Sequence, residues 1–376
     1  MKKRSSFRFR ILAILLIFFA ASFLLLASRD GNPKQYLMAA AVPGMIFILM
    51  VLPVRVFSLD RPSLSIVLTL CGFSLLATAP GNSDETLSQG FRCFAALFFL
   101  AAGVILIRTF RPSVPVAVLL ALCGLGMLSF SKWFPDLPFS LAGGGIPLLL
   151  FAVVAFLALR LRFPALAASL GGMLLLLLQH DYGNAAAWGL SCVMIFWASS
   201  GSALWSGILL GCTGGLFGIL LRFPQPAVED AVPSLLSRIA AMPLILPETL
   251  PEIAMESTPD SLFFLLGEQY GLVFPLCAVV LVILFLIRSA SLAQNARKSF
   301  HASLALGIIL LTGLRLLLFL SAAADLVHLS PGSFPFMTSS LPDLFACFFL
   351  FGLLSGISAR NEADLDEDTR LAMLAR

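Results

Sequence analysis

The sequence predicts an all-α polytopic membrane protein with about 12 transmembrane helices. Hydrophobic residues make up 59% of the 376 residues, and charged residues make up only 12%. Soluble proteins carry about 25% charged residues, so this composition excludes a cytosolic enzyme, a nucleic-acid-binding protein and a disordered chain. Apolar runs of about 17 to 25 residues, the length that crosses the hydrocarbon core, recur along the whole sequence.

Twelve apolar runs are candidates for transmembrane spans. They lie at residues 10–28, 36–54, 63–79, 91–108, 114–131, 144–160, 163–179, 184–199, 202–221, 261–287, 302–324 and 341–358. The basic segment before the first run resembles the start of a signal peptide. Because no clear A-x-A cleavage pattern follows it, we interpret the first run as a retained span.

The distribution of basic residues predicts the orientation in the membrane. With the N-terminus in the cytoplasm, 17 of the 24 lysines and arginines fall on the cytoplasmic side and six on the outer side, while Arg315 lies inside a span. Basic residues favour cytoplasmic loops. Both termini are therefore expected in the cytoplasm, where the charged tail Asn361–Arg376 would form a short solvated helix.

Two connections on the predicted outer side are longer or less regular than a simple turn. The first runs from Arg222 to Asp260 and contains seven prolines and six acidic residues. A mere connector needs only a few residues, so a loop of this length indicates function. The second lies between Asp325 and Asp343, and such irregular backbone near membrane depth is expected to line a cavity or to be buried in protein.

Polar residues interrupt the apolar runs near these connections. Gln179–Asn184 (QHDYGN) fits a turn with a helix cap. Asp260 would cap the next span, and Glu268 would then lie about 12 Å deeper along the same helix. A carboxylate at that depth needs a partner or a cavity. Arg315 is the expected partner of Glu268, and direct contact of Glu268 with a substrate is the alternative.

Four stretches, in this order and spacing, resemble motifs of the SEDS family (shape, elongation, division and sporulation). Leu174–Ala185 (LLLLLQHDYGNA) resembles the family's LLLQPDLGTA, and Asp260–Val273 (DSLFFLLGEQYGLV) resembles its DFIFAVIGEELGFI. Phe334–Ala346 (FPFMTSSLPDLFA) resembles LPFISYGGSSLLA, which precedes the last span. Lys132 and Trp133 are similar to the start of the family's RWI loop.

The resemblance implies a domain organisation. It covers residues 63–358, which would form a SEDS-like membrane domain of ten spans with the large outer loop 222–260. Residues 1–62 would add a basic cytoplasmic segment and two further N-terminal spans, and residues 359–376 a charged cytoplasmic tail. Two extra spans preserve the parity of the topology, so the orientation of the family agrees with the one derived from charge.

The resemblance also implies a function: a peptidoglycan glycosyltransferase that polymerises lipid II, an undecaprenyl-linked precursor, at the outer face of the bacterial plasma membrane. Its partner would be a class B penicillin-binding protein in cell elongation, division or sporulation. The family's essential aspartate falls on Asp260, the implied general base. The candidates for substrate binding or structural support, including the outer cations that could steady a pyrophosphate, are Gln179, Asp181, Glu268, Arg315, Lys132, Arg222 and Arg238.

Departures from the family leave alternative functions open. The family's QPSE loop and downstream lysine should fall near Ala142–Leu148 (AGGGIPL), where neither the glutamate nor the lysine is present. The alternatives are an inactive SEDS-like scaffold of the division or elongation machinery, another polymerase or ligase of polyprenyl-linked sugars, and a flippase for lipid-linked precursors. No cofactor or metal motif is evident, and a role for a divalent cation stays open. Nothing predicts a nucleic-acid partner.

Overall fold

The chain forms a bundle of thirteen helices in a computed structural model that describes residues 2–30, 33–57, 59–80, 83–133, 142–220, 239, 242–244, 261–296, 298–324, 326 and 333–374. These residues contain no β-strand, which confirms the all-α prediction. The helices are α1 Lys2–Asp30, α2 Pro33–Phe57, α3 Arg61–Thr78, α4 Ser83–Thr109, α5 Val114–Trp133, α6 Ala142–Ala158, α7 Arg162–Leu178, α8 Tyr182–Ser200, α9 Ala203–Leu220, α10 Ser261–Tyr270, α11 Val273–Gln294, α12 Ser299–Ala323 and α13 Leu341–Leu374.

The lengths and compositions of these helices are those of a membrane protein. Within the described residues, six helices (α2, α3, α4, α11, α12 and α13) are long and apolar enough to cross a bilayer, and α1, α5, α6, α7 and α9 contain shorter apolar segments. Each of the twelve predicted spans coincides with helix, and the last helix also runs through most of the predicted tail. The predicted orientation and the domain boundaries stay predictions.

Two helices form the centre of the bundle. Residues 144–157 of α6 and residues 344–358 of α13 are buried without interruption. Helix α13 packs along α4 and α6, and α6 also packs along α5 and α7. Neither segment contains a charged residue, as burial on all sides requires.

Glycines allow α4 and α13 to approach until their backbones touch. A Cβ atom added to Gly103 of α4 would lie 2.6 Å from the carbonyl oxygen of Phe349, and one added to Gly352 of α13 would overlap the carbonyl oxygen of Leu100. In lipid, helix association depends on such close packing of small residues. The contact fixes α4, whose first turns contribute to the candidate site, against the start of α13.

The two N-terminal helices pack against one edge of the bundle. Helices α1 and α2 lie along each other, α1 contacts α3, and α2 contacts both α3 and α4. The ring of Phe19 lies directly on Gly72 of α3, where any side chain would overlap it. This contact anchors the pair of helices that was predicted as an addition to the ten-span domain.

The predicted tenth span, residues 261–287, is wrong in one respect, because it consists of two helices. The short helix α10 ends at Tyr270, and α11 begins at Val273. Between them Gly271 has φ of 90°, a conformation that glycine adopts without the steric cost of a side chain. Its N–H donates to the carbonyl of Gly267 at 2.9 Å, and the N–H of Leu272 donates to Pro243 at 2.9 Å.

A salt bridge joins the start of α3 to α11 at the other end of the bundle. Asp60 caps α3 by accepting hydrogen bonds from Ser63, and Arg288 donates to both of its oxygens, from Nε at 3.1 Å and from Nη2 at 3.0 Å. Burial alone would raise the pKa of Asp60, but the hydrogen bonds from Arg288 and Ser63 outweigh burial and lower the pKa below its ordinary value of 3.8.

We expect this bridge to stabilise the protein in a pH-dependent way. A carboxyl whose pKa is lowered by folding contributes stability above its unfolded pKa and loses it as pH falls through the folded pKa. Since Arg288 is 43% exposed, the contribution should be only about 1 kcal/mol. Thermal unfolding of wild type and Asp60→Asn should therefore differ at pH 7, and the difference should shrink as pH falls below the ordinary value of 3.8 and through the lower folded pKa. A constant difference across this range would contradict the assignment.

Candidate functional site

The turn between α7 and α8 is built by the polar segment that the sequence singled out. His180 takes a left-handed backbone conformation, and Asp181 caps α8 by accepting a hydrogen bond from the N–H of Asn184 at 3.1 Å. The Asn184 side chain donates to the same carboxylate at 2.7 Å. Gln179 donates to the carbonyl of Leu128 at 2.7 Å and so ties this turn to α5. The predicted turn and cap are confirmed.

This turn meets α12 and α13 in a buried group of charges, which we call the polar cluster: Asp181, Asn184, Arg315 and Asp343. The Asn184 amide, bonded to Asp181, also donates to Asp343 Oδ1 at 3.5 Å. Nη2 of Arg315 lies 3.7 Å from the same oxygen of Asp343. Three helices that are distant in sequence thus place two carboxylates, one amide and one guanidinium together.

Arg315 is the least solvated charge of the cluster. Its side chain is 4% exposed, whereas that of Asp343 is 20% exposed. Nε, Nη1 and Nη2 are all buried and donate to no oxygen of the described residues, although the buried thiol of Cys347 lies beside the guanidinium. A guanidinium carries five N–H donors, and buried donors without acceptors cost free energy. Arg315 therefore has donor capacity that the described part of the protein does not use.

The electrostatics of the cluster favour proton uptake at Asp181. Burial raises the pKa of Asp181, and the nearby charge of Asp343 raises it further. The hydrogen bonds from Asn184 and the charge of Arg315 act in the opposite direction without cancelling the increase. When Asp181 holds a proton, one guanidinium faces one carboxylate, so an incoming anion meets less repulsion.

The structure corrects the predicted partner of Arg315. The sequence suggested Glu268, because a carboxylate and a guanidinium that both lie inside apolar runs are expected to pair. The ion pair that the structure shows for Arg315 is with Asp343. The half-buried Glu268 lies in the last turn of α10, and its predicted depth of about 12 Å along that helix is unaffected by the turn at Gly271, which follows it.

The segment 333–340, which leads into α13, is irregular but held by buried hydrogen bonds. The Gln89 amide of α4 donates to the carbonyl of Thr338 at 3.0 Å and to Ser74 of α3 at 3.4 Å. Arg92 of α4 donates to the carbonyl of Ser339 at 3.0 Å. The expectation that this irregular backbone is buried in protein is thus confirmed for residues 333–338.

Strained backbone conformations occur in the turn between α7 and α8 and in the segment 333–340. Besides Arg160, the described residues that have positive φ without being glycine are His180, at 60°, and Phe336, at 63°. Side chains rarely adopt this region, and for a bulky residue it is an outlier that the surrounding structure must enforce. Phe336 is 2% exposed, so packing holds it in place next to α13.

Helix α10, which follows the large loop in the sequence, packs against the segment 333–340 and against α3. The ring of Phe263 stacks on Phe334 with 4.9 Å between centroids. The hydroxyl of Tyr270 donates to the carbonyl of Leu76 in α3 at 3.1 Å. Gln269 is 1% exposed, and its Oε1 accepts no hydrogen bond from the described residues.

Several predicted site residues lie outside the described residues. Asp260 immediately precedes Ser261, the first residue of α10, and Asp260, Arg222 and Arg238 are among the residues that the structure does not describe. Lys132 belongs to α5, but the description does not extend to its side chain. Within the described ranges no group of three or more His, Cys, Asp or Glu side chains is arranged to hold a metal ion.

Sequence reasoning missed the contribution of α4 to this site. Gln89 and Arg92 are one helical turn apart at the start of a long apolar helix, and that spacing places them on adjoining positions of one face. Polar residues on the same face of a membrane helix are a usable signal. Gln269 was likewise overlooked, since it stands within a motif that directed attention to Glu268.

Comparison with known proteins places this arrangement in a known fold. No protein-family model and no curated protein matches the chain. Five chains of solved structures match. One belongs to a structure on the coordination of polymerization and crosslinking by a peptidoglycan synthase complex; it has a TM-score of 0.57 and 18% identity, covering 81% of this chain and 98% of that chain. The chain therefore shares its fold with a component of a peptidoglycan synthase complex.

Proposed function

We propose that this chain is a SEDS-like glycosyltransferase that polymerises lipid II at the outer face of the bacterial plasma membrane. The observation that carries the proposal is Arg315, a buried guanidinium whose three nitrogens have no hydrogen-bond acceptor among the described residues. A planar guanidinium binds phosphate oxygens in a bidentate way. The leaving group of lipid II polymerisation is a pyrophosphate, which supplies such oxygens.

In the proposed reaction the C4 hydroxyl of an incoming lipid II sugar attacks the anomeric carbon of the growing glycan. The new glycosidic bond forms as the bond to the pyrophosphate oxygen breaks, and undecaprenyl pyrophosphate leaves with that electron pair. Asp260 takes the hydroxyl proton as general base. Arg315 stabilises the negative charge that develops on the leaving pyrophosphate.

The proposed setting is a cell-wall synthesis complex of the plasma membrane. A class B penicillin-binding protein is the proposed partner, since the protein of like fold is part of a complex that polymerizes and crosslinks peptidoglycan. Elongation, division and sporulation are the cellular processes that such a complex serves. The inactive scaffold is the competing proposal, favoured by the absence of the family's glutamate and lysine from residues 142–148.

The experiment combines the purified full-length protein with fluorescent lipid II, with and without each class B penicillin-binding protein of the same organism, and follows glycan strands by gel electrophoresis. Wild type should produce strands. Asp260→Ala should reduce the rate about 100-fold, as expected for loss of a general base. Glu85→Ala is the matched control, because Glu85 is an exposed carboxylate in the first turn of α4. It should retain the wild-type rate.

Two outcomes would overturn the proposal. Equal inactivity of wild type and Asp260→Ala with every partner would favour the scaffold, and a polymerising Asp260→Ala variant would remove Asp260 from the chemistry.

A further inference from the structure

A hydrocarbon-lined groove lies between the N-terminal helices and the bundle. It has a volume of about 300 Å³ and is formed by α2, α3 and α4. Met38 and Met45 contribute from α2, Leu75 from α3, and Phe91 and Phe94 from α4. The two phenylalanines are 66% and 42% exposed, so the groove opens sideways toward the surrounding membrane.

The size and the lining of this groove select its occupant. A transmembrane helix has a diameter of about 10–12 Å and does not fit. Water is a poor occupant, because an ordered water needs two to four polar partners and Thr86 supplies the main polar group of the lining. An unfilled space of this kind would forfeit the dispersion contacts of its walls. A single flexible hydrocarbon chain satisfies both conditions, because it is narrow and apolar and because methionine side chains adapt to irregular shapes.

The groove is continuous with the candidate site through α4. Gly90 lines the groove, and the preceding residue, Gln89, donates to the carbonyl of Thr338, five residues before Asp343 of the polar cluster. Thr86, at the rim, lies one helical turn before Gln89 and is 3.4 Å from the hydroxyl of Thr78. A chain in the groove would therefore lie against the part of α4 whose neighbouring residue, Gln89, holds the segment that leads to Asp343.

We propose that this groove holds the isoprenoid tail of the lipid-linked substrate while the anionic head of that lipid reaches the polar cluster. This inference rests on the proposed function and extends it by assigning the tail to a site. It also assigns a role to the two N-terminal helices, because α2 forms one wall of the groove and α1 fastens α2 to α3.

Photo-crosslinking tests the inference. Full-length protein is placed in vesicles of phosphatidylethanolamine and phosphatidylglycerol with a photoreactive undecaprenyl phosphate, and the labelled peptides are mapped by mass spectrometry. Label should appear on α2 and α4, saturate, and fall when unlabelled undecaprenyl phosphate is added in excess. Phosphatidylglycerol is present in large excess throughout, so a groove that binds any phospholipid would show no saturable label. That result would overturn the proposal.

Glycine substitutions provide a matched set of variants. A Cβ on Gly90 would lie 3.5 Å from the Met45 sulfur, so Gly90→Ala fits and Gly90→Leu projects into the groove. Gly44 lies on α2 with nothing within 4 Å, so Gly44→Leu adds the same side chain outside the groove. Gly90→Leu should reduce labelling about tenfold, because the buried methylenes of the tail are displaced. Gly90→Ala and Gly44→Leu should label like wild type.

The outcomes separate this inference from the proposed function. Undecaprenyl phosphate carries no sugar, so labelling does not require glycosyl transfer. Polymerisation by wild type without label on α2 or α4, or equal labelling of Gly90→Leu and Gly44→Leu in proteins with equal thermal stability, would overturn the groove assignment alone. Saturable label in a protein that never polymerises lipid II would overturn the proposed function alone.

Discussion

Arg315→Gln is expected to slow glycan polymerisation about 1000-fold, the scale of losing a charged group that stabilises a transition-state anion. The thermal midpoint should change by only a few degrees, about 1 kcal/mol. The reason is that the three guanidinium nitrogens donate to no oxygen of the described residues. Among those residues the substitution removes the ion pair with Asp343 at 3.7 Å and the weaker interactions with Asp181 and Cys347. Polymerisation assays and thermal unfolding measure the two effects separately.

Arg92→Gln is the matched control for this prediction. Arg92 lies at the same end of the bundle, and its Nη1 donates to the carbonyl of Ser339 at 3.0 Å. Loss of this hydrogen bond should cost about 1 kcal/mol of stability. Polymerisation should stay within about tenfold of wild type, because only one hydrogen bond that positions the segment 333–340 is removed. If Arg315→Gln polymerises normally but unfolds more easily than Arg92→Gln, then Arg315 is a structural residue and not a ligand of the pyrophosphate.

Hydropathy located the spans because burial of apolar residues in lipid acts over a whole helix. It did not reveal the break between α10 and α11, since the polar stretch Gly267–Gly271 (GEQYG) is averaged out over the long apolar run 261–287. The break depends on one backbone angle, φ of 90° at Gly271. Glycine was the available signal, but a glycine inside a membrane helix is also common.

The polar cluster was only partly predictable for a related reason. The sequence identified Asp181 and Arg315 as charges whose burial costs free energy, because a buried charge needs a compensating partner wherever it lies. It could not name their neighbours, since Asn184 and Asp343 are brought together by the packing of α8 against α12 and of α12 against α13. Glu268 was assigned to Arg315 because both lie in apolar runs, whereas packing places Asp343 beside Arg315.

Gly352→Ala should destabilise the bundle by about 3 kcal/mol, the upper range for overpacking a close contact. The new Cβ would overlap the carbonyl oxygen of Leu100, and its next neighbours are also backbone atoms of Leu100. Because backbone cannot rotate away as a side chain can, α4 and α13 must separate along their length. Thermal unfolding in detergent should show the largest decrease for this variant among glycine-to-alanine changes in α5 and α13.

A graded series makes the expected result specific to backbone contact. A Cβ on Gly356 would lie 3.0 Å from Cβ of Ile107 and 3.3 Å from Cα of Val104, so Gly356→Ala should cost less than Gly352→Ala. A Cβ on Gly126 of α5 meets nothing within 4 Å, and Gly126→Ala should be neutral or stabilising by up to about 1 kcal/mol through helix propensity. Helix α4 also carries Gln89 and one wall of the groove, so the reduced stability of Gly352→Ala should be accompanied by reduced polymerisation. Equal stability of all three variants would show that α4 and α13 are not in backbone contact.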